Sequence, residues 1–184
     1  MTIPETIEKV TDWINKNVCP QVVLKLPDDA QNGSEYKVEA VNPTAFAMYQ
    51  PGKDKLPPNV RTPFPSVVVQ LLEGTDDMSK GSSQLKLQLS FTAWNPGDHE
   101  SGEGFTRNAE GWKDVWNFVD RTLRKIENAE YLNGIRVVKE LNITYGQFQQ
   151  EGQISDLYPY WGAWAIFTIE RGIARTGVAY SELL

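Results

Sequence analysis

A long apolar run near the C-terminal end constrains the fold more than any other segment. Between Tyr160 and Ile169, large or apolar residues occupy both parities: Trp161, Ala163, Ala165, Phe167 and Ile169 on one, Trp164 and Ile166 on the other. A strand covered on both faces has this composition, whereas a half-exposed strand alternates. Pro159 cannot donate to a sheet ladder and therefore suits the entry to such a strand. We predict a central strand at about 160–169, against which the rest of the chain packs.

Two amphipathic helices are predicted from apolar residues at helical spacing. The first covers about 3–18, and Thr2 and Glu5 have the spacing of a capping box at its start. The second covers about 109–128, with Asn108 as its expected N-cap. Its apolar stripe is Trp112, Val115, Trp116, Val119, Leu123 and Ile126, which makes both tryptophans core residues by default.

The remaining strands are predicted from β-branched runs and from alternation. Strands at 66–72 and 85–93 form a hairpin whose polar tip, 73–83, is too long for a tight turn. A second hairpin joins 22–26 to 36–41, and a strand is expected at 135–145. The links between consecutive strands are of the hairpin type. The predicted fold class is therefore α+β, a mainly antiparallel sheet with a long helix packed on one face and an N-terminal helix.

The chain is expected to form one α+β domain over residues 1–184, with a proline-rich excursion at 42–65. That excursion contains prolines 43, 51, 57, 58, 63 and 65. A loop of this length is often functional or ordered by a partner, and the alternative is a surface segment that wraps its own domain. Its apolar part, 45–49, is expected to dock on this subunit or on a neighbour.

Composition disfavours several classes of protein. The net charge of −6 and the pI near 4.9 argue against a general nucleic-acid binder, which presents a basic face. The single cysteine, Cys19, excludes an intramolecular disulfide. The N-terminal residues do not resemble a signal peptide, and no apolar run has the roughly 20 residues that a bilayer span needs. We therefore expect an intracellular site of synthesis and no membrane association.

The sequence supplies no convincing catalytic set. His99 lies among Asp98, Glu100 and Glu103, but the spacing matches no known metal site, and a solvated loop is the favoured interpretation. Glu73, Asp76 and Asp77 fit an acidic hairpin tip better than a calcium site. Cys19 ends a helix without a nearby histidine, which favours a buried structural thiol over a nucleophile. We expect no enzyme activity, no cofactor and no metal.

Several segments, in order, resemble the tail terminator or tail-completion proteins of long-tailed bacteriophages and prophages. They are Phe64–Gly74, Leu89–Gly97, Gly111–Asn117 with Asp120 and Arg121, and Tyr158–Gly162. The resemblance covers about 64–170, and the proline-aromatic entry Tyr158-Pro159-Tyr160-Trp161-Gly162 is its most specific part. Proteins of that family are small α+β domains that assemble into a ring, typically a hexamer, at the head-proximal end of the tail.

This resemblance implies a non-catalytic structural protein of the virion, located in the tail or neck and assembled in the host cytoplasm. Its partners would be other copies of itself, the tail-tube protein and the head connector, and viral DNA would pass through the lumen without sequence-specific binding. Within this picture, hairpin 73–83 and loop 95–107 are expected to become ordered against a neighbouring subunit or against the tail tube. The candidate subunit-interface residues are Trp94, Asp98, Phe105, Asp76 and Met78. For Trp94 a core position is the competing interpretation.

Two alternatives to a tail terminator stay open. The long segment 42–63 and the small pair Gly162-Ala163 depart from the family pattern, so another neck or connector component of the head–tail joint fits as well. A different class is a small non-catalytic binding or regulatory domain that acts as a monomer or dimer.

Overall fold

The computed structural model describes residues 1–27, 37–99, 105–108, 110–150, 153–154 and 157–173. The structure is α+β, as predicted, with a curled mixed sheet and two helices. The larger sheet has seven strands in the order β3-β4-β5-β13-β9-β8, with β10 also pairing with β13. The prediction of a mainly antiparallel sheet agrees only loosely, because β3 and β4 are parallel.

The elements follow one another along the chain with these bounds. The helices are α1 (Ile3–Asn17) and α2 (Gly111–Asn128), with short 3-10 turns at Cys19–Gln21 and Lys53–Lys55. The strands are β1 (Leu24–Lys25), β2 (Ala40–Val41), β3 (Thr44–Ala47), β4 (Ser66–Asp77), β5 (Ser82–Trp94), β6 (Asp98–His99), β7 (Phe105–Thr106), β8 (Tyr131–Leu132), β9 (Ile135–Val137), β10 (Thr144–Gln147), β11 (Gln149–Gln150), β12 (Gln153–Ile154) and β13 (Tyr160–Gly172).

The predicted central strand is present as β13, but only one of its faces is fully covered. It pairs with β5 along its whole length, from Tyr160 opposite Trp94 to Gly172 opposite Ser82. Its other edge pairs first with β10 and then with β9. Ala163, Ala165, Phe167 and Ile169 are buried, whereas Trp164 and Ile166 remain partly exposed. The expectation of a strand covered on both faces was therefore wrong for this part of β13.

Both helices pack on the same face of the sheet. The core combines the buried sides of α1 and α2 with the odd-numbered residues of the three long strands: Val67, Val69, Leu85, Leu87, Leu89, Phe91, Ala93, Ala163, Ala165, Phe167 and Ile169. In α2 this contact centres on Phe118, whose ring meets Phe91 edge to face at 5.0 Å between centroids. Burying apolar side chains of this size stabilises the fold by about 1.5–3 kcal/mol each.

Helix α1 begins and ends as its sequence indicates, and it packs on the same face of the sheet as α2. The Thr2 hydroxyl accepts from the amide of Glu5, and the Glu5 carboxylate accepts from the amide of Thr2, which completes the predicted capping box. The side chain of Asn15 both donates to and accepts from the backbone of Ala45 in β3. At the opposite edge of the sheet, the side-chain amide of Asn133, which follows β8, donates to the carbonyl of Lys9.

Helix α2 differs from its prediction at the start. Its N-cap is Glu110 rather than Asn108, and Asn108 instead uses its side-chain oxygen to accept from the Glu110 amide. Trp112 is 43% exposed, so its predicted core position was wrong. Trp116 is half-buried beside the core. The helix therefore turns Val115, Phe118 and Val119 to the sheet rather than its two tryptophans.

Three predicted strands or loops have different limits in the structure. The polar tip 73–83 mostly continues the two strands, so that only residues 78–81 form the turn between β4 and β5. Within the 42–65 excursion, β3 docks beside β4 as a parallel strand, which places the apolar part 45–47 on this subunit. The strand predicted at 135–145 is broken into β9 and β10, which contact β13 at successive levels. The pairing of 22–26 with 36–41 is confirmed for Leu24–Lys25 with Ala40–Val41.

Candidate functional site: an open sheet face and two free edges

The even-numbered residues of the long strands point away from both helices and form what we call the open face. It comprises Gln70, Lys86, Gln88, Ser90, Thr92, Gly162, Trp164, Ile166, Thr168 and Glu170, and Val68 at its β3 end is buried. Ser90 donates to the side-chain oxygen of Gln70 at 2.8 Å, and the Gln88 amide donates to Ser90 at 3.0 Å. These bonds hold the polar centre of the face in one arrangement, beside the apolar side chains of Trp164 and Ile166.

An aromatic ridge limits the open face on the β10 side. The indole nitrogen of Trp164 donates to the carbonyl of Gln147 at 3.0 Å, which fixes the ring against β10. Phe148 lies over Gly162, where an added Cβ would come within 2.5 Å of its ring. A side chain larger than hydrogen at position 162 would therefore displace Phe148. This packing explains the small residue at position 162.

A polar network at one end of the sheet positions the chain between β5 and α2. Lys25 donates to the side-chain oxygen of Asn95 at 2.9 Å and to the carbonyl of Gly97 at 2.7 Å. The Asn95 amide donates to Asp114 of α2 at 2.6 Å. Its carbonyl accepts from the indole nitrogen of Trp161 at 2.9 Å. Asn95, which directly follows β5, thus ties β1 and α2 together through its side chain and β13 through its backbone carbonyl.

Aromatic contacts from the proline-marked entry of β13 extend this network. The Tyr158 hydroxyl donates to the carbonyl of Pro96 at 2.6 Å, and the Arg107 guanidinium lies 4.0 Å from the centre of the Tyr158 ring. Tyr160 packs its ring against Phe64 with centroids 4.7 Å apart. The proline-marked entry of β13 therefore anchors the connection between β5 and α2.

The β4–β5 hairpin extends beyond β3, the strand that flanks it on the β4 side. Strand β3 pairs only with Ser66–Val69, and among the described residues no strand pairs with the outer edge of Gln70–Asp77. A β-bulge at Leu72 interrupts the register with β5, and this leucine is 48% exposed. Met78 in the turn is 78% exposed. We call Gln70–Asp77 the β4 free edge.

The hairpin turn is stabilised by Asp77. Its carboxylate accepts from the hydroxyl of Ser79 at 2.6 Å and from the amide of Lys80 at 3.1 Å. These hydrogen bonds favour the ionised form and lower the pKa of Asp77 to about 2. The hydrogen bonds of the Asp77 carboxylate lie within its own turn, so its role is to stabilise the conformation of the hairpin.

The opposite side of the sheet has a second free edge at β10. No strand in the described part of the chain pairs with its outer side, and residues 142–150 contain no charged side chain. A cavity of about 340 Å³ adjoins this strand and is lined by Glu127, Val137, Val138, Lys139, Leu141, Asn142, Ile143, Tyr145 and Phe167. Leu141 and Tyr145 on its rim are 48% and 58% exposed. We call β10 and this cavity the β10 edge.

A second, more polar cleft lies between the segment Gln21–Leu24 and the exposed side of α2. Its volume is about 620 Å³, and its charged lining residues are Asp114, Asp120, Arg121 and Arg124. Arg124 pairs with Asp120 at 2.8 Å across one helical turn. Asp114 already accepts from Asn95. The cleft therefore holds charges that are partly neutralised within the chain.

The five predicted interface residues fall into two separate groups. Asp76 and Met78 lie together at the hairpin, where Asp76 is exposed. Trp94 and Asp98 lie at the other end of β5. Asp76 pairs with Ser83, and the eleven residues of extended strand from Ser83 to Trp94 span about 35 Å. Trp94 is buried at 3% exposure, so the core interpretation of its side chain holds within the protomer. The Asp98 carboxylate accepts from Asn108 at 2.8 Å, and the side chain of Phe105 lies outside the described residues.

The residues weighed as metal ligands are not brought together. Of the histidine group, Glu100 and Glu103 and the side chain of His99 lie outside the described residues. The bulge at Leu72 places Glu73 and Asp77 on one face of the hairpin and Asp76 on the other. Within the described ranges, no group of three or more His, Cys, Asp and Glu side chains is placed to hold a metal ion.

Cys19 is buried, and desolvation raises the pKa of its thiol to about 12. A thiol with this pKa is almost entirely protonated at neutral pH, and only the thiolate is a nucleophile. Its position in the core cluster therefore agrees with the structural role expected for it.

The residues that define the two free edges, Leu72, Leu141 and Tyr145, were not predicted as site residues from the sequence. Leu72 was predicted to belong to the buried strand 66–72. Leu141 and Tyr145 were predicted to belong to one continuous strand, 135–145. The absence of charge from 142 to 150 was visible in the sequence, but its meaning depends on the strand lying at an edge.

Comparison with known proteins adds no relative. No protein-family model matches the chain, and no curated protein matches it significantly. In the described ranges, neither helix has both the length and the apolar character needed to cross a bilayer.

Proposed function

We propose that this chain is a structural subunit of a phage tail terminator, which caps the tail tube at its head-proximal end and joins it to the head connector. The observation that carries the proposal is the pair of unlike free edges, the β4 free edge and the β10 edge, on one sheet whose helices all lie on the same face. Ring assembly requires a heterologous contact, in which two different surfaces of identical subunits meet. A sheet edge that is neither paired nor covered is a template for pairing with another chain.

The segments that resemble terminator proteins support the proposal through their positions. They include most of β4, the end of β5, the first turns of α2 and the start of β13. These elements form the core contact around Phe91 and Phe118 and the network around Asn95. The resemblance therefore follows residues that maintain the fold, which is where sequence similarity between distant structural proteins is expected to persist.

A ring of such subunits would act by occupying the last layer of the tail tube. Once bound, it covers the surface on which the next ring of tube protein would stack, so polymerisation stops. Its other side is then available to the head connector. Each copy carries a net charge of −6, so a ring lumen would have little attraction for passing DNA.

Deletion of the gene in a phage or prophage that encodes this chain tests the proposal. A terminator is required to stop tube growth, so we expect tubes longer than those of the parent, together with heads that lack tails. Complementation with the intact gene should restore the parental length. Tubes of normal length that fail to join heads would refute the terminator role and favour another neck component. Normal particles would refute both and favour the non-catalytic binding domain.

A further inference from the structure

We propose that neighbouring copies of this chain associate edge to edge, with the β4 free edge of one copy docked at the β10 edge of the next. This inference rests on the proposed function, since it specifies the contact by which the ring would close. The two edges belong to one sheet, and their outer backbone groups lack strand partners among the described residues. An unpaired edge is a template for strand addition.

The strand directions are compatible with such a contact. β4 is antiparallel to β5 and β5 is antiparallel to β13, so β4 and β13 run in the same direction. β10 is antiparallel to β13. Placing β4 of one copy beside β10 of another therefore continues the sheet with an antiparallel pair.

The two edges also lie at the same position along the strand direction. Across the sheet Gln70 aligns with Gln88 and then Ile166, and Ile166 aligns with Thr144 of β10. Two copies at the same height thus bring Gln70 beside Thr144. Leu71 then lies at the level of Phe167, which lines the cavity of the β10 edge, and the bulged Leu72 follows it in β4. The most exposed apolar side chain of the β4 free edge is therefore close to the level of a cavity whose lining includes Leu141 and Ile143.

The charges favour a contact between unlike edges over contacts between like ones. The β4 free edge carries Glu73, Asp76 and Asp77. Pairing two copies of it would set these carboxylates against one another, and like charges across a strand pair are destabilising. β10 carries no charge, and the charged groups at its cavity are one base and one acid, Lys139 and Glu127. The acidic edge therefore meets less repulsion at β10 than at a copy of itself.

Disulfide trapping tests the contact on the full-length chain. Leu72→Cys and Leu141→Cys in the same chain should yield reducible dimers, trimers and higher species under mild oxidation at high protein concentration. Cys19 is buried and should not take part. The matched control combines Leu72→Cys with Val23→Cys, because Val23 is 64% exposed but lies away from both edges. This control should remain monomeric.

Other outcomes of the trapping experiment overturn the inference. Dimers from Leu72→Cys alone would indicate a symmetric contact between two β4 free edges, and dimers from Leu141→Cys alone a symmetric contact between two β10 edges. A double variant that stays monomeric, with unchanged circular dichroism, would also refute the edge-to-edge contact. Tube length after gene deletion is measured independently, so the terminator role can stand when this contact fails.

A substitution that leaves the fold intact provides a second readout. Leu72→Asp should weaken self-association in sedimentation equilibrium by about tenfold or more, since an apolar anchor at the centre of an interface carries a large share of the affinity. Val23→Asp, at a site that is more exposed than Leu72, should leave the association constant unchanged. Equal effects of the two substitutions would contradict the assignment of Leu72 to the contact.

Discussion

Substitution of Gly111 by alanine should destabilise the protein, although the same change usually stabilises a helix. Gly111 is the first residue of α2 and is buried against Trp161. A Cβ at this position would lie 2.5 Å from Cδ1 and Cε2 of the indole, and closer still to its nitrogen. The ring cannot move away freely, because that nitrogen donates to the carbonyl of Asn95 at 2.9 Å.

The expected size of the effect follows from two opposing contributions. Overpacking in a well-filled region costs about 1–3 kcal/mol, and the displaced hydrogen bond adds about 1 kcal/mol. Replacing glycine by alanine within a helix gains at most about 1 kcal/mol. We expect a net loss of about 1–4 kcal/mol in the free energy of unfolding, measured by urea denaturation. The melting temperature should fall by roughly 2–4 °C for each kcal/mol lost.

Two further variants make this prediction refutable. Gly172→Ala is the matched control, because no atom lies within 4 Å of the added Cβ, and its effect should stay below about 0.5 kcal/mol. In a Trp161→Ala background the clash is absent, so Gly111→Ala should become neutral or stabilising. A Gly111→Ala variant as stable as the parent would show that the close packing of α2 on Trp161 is not maintained in solution.

Three other predictions concern the core, the hairpin and the thiol. Phe118→Ala should lower the free energy of unfolding by about 3–5 kcal/mol because Phe118 is fully buried, whereas Trp112→Ala should change it by less than about 1 kcal/mol; comparable losses in urea denaturation would contradict the orientation of α2. The pKa of Asp77 is depressed in the folded state, so its contribution to stability is present above about pH 4 and lost as the pH falls towards 2; a carboxyl titration by NMR with its midpoint near 4 would show that the turn does not hold this group. Cys19 should react with a thiol reagent only after denaturation, and rapid labelling of the native protein would contradict its burial.

The parts of the fold that were predicted correctly have strong local periodicity. The stripe of α1 and its capping residues Thr2 and Glu5 specify that helix almost to the residue. The alternation from Leu85 to Ala93 places every odd residue of β5 in the core. Such patterns are legible because one face of each element is buried along its whole length.

The parts of the fold that were predicted incorrectly depend on which strands pair with one another. β3 lies in a proline-rich segment with no periodic pattern, and its parallel pairing with β4 joins residues about 22 positions apart. The strand predicted at 135–145 keeps its alternation through Lys139 and Leu141, but the chain leaves β13 after Val137 and returns at Thr144. No single segment contains the information that one strand will pair with two others in succession.

The candidate site was only partly accessible from the sequence for the same reason. Met78 and Asp76 were predicted at a polar hairpin tip, and they are exposed there. Leu72 was predicted to lie in a buried strand. The structure exposes it at a bulge in the pairing of β4 with β5, and this bulge cannot be seen in the sequence of β4 alone. The importance of the uncharged β10 becomes apparent only when the strand order places it at an edge.

Cryo-electron microscopy of intact particles from the encoding phage would test the terminator role most directly. The account predicts a closed ring of this chain between the last layer of the tail tube and the head connector, present once per particle. Density for this chain elsewhere in the particle, or its absence from purified virions with normal tails, would contradict the account.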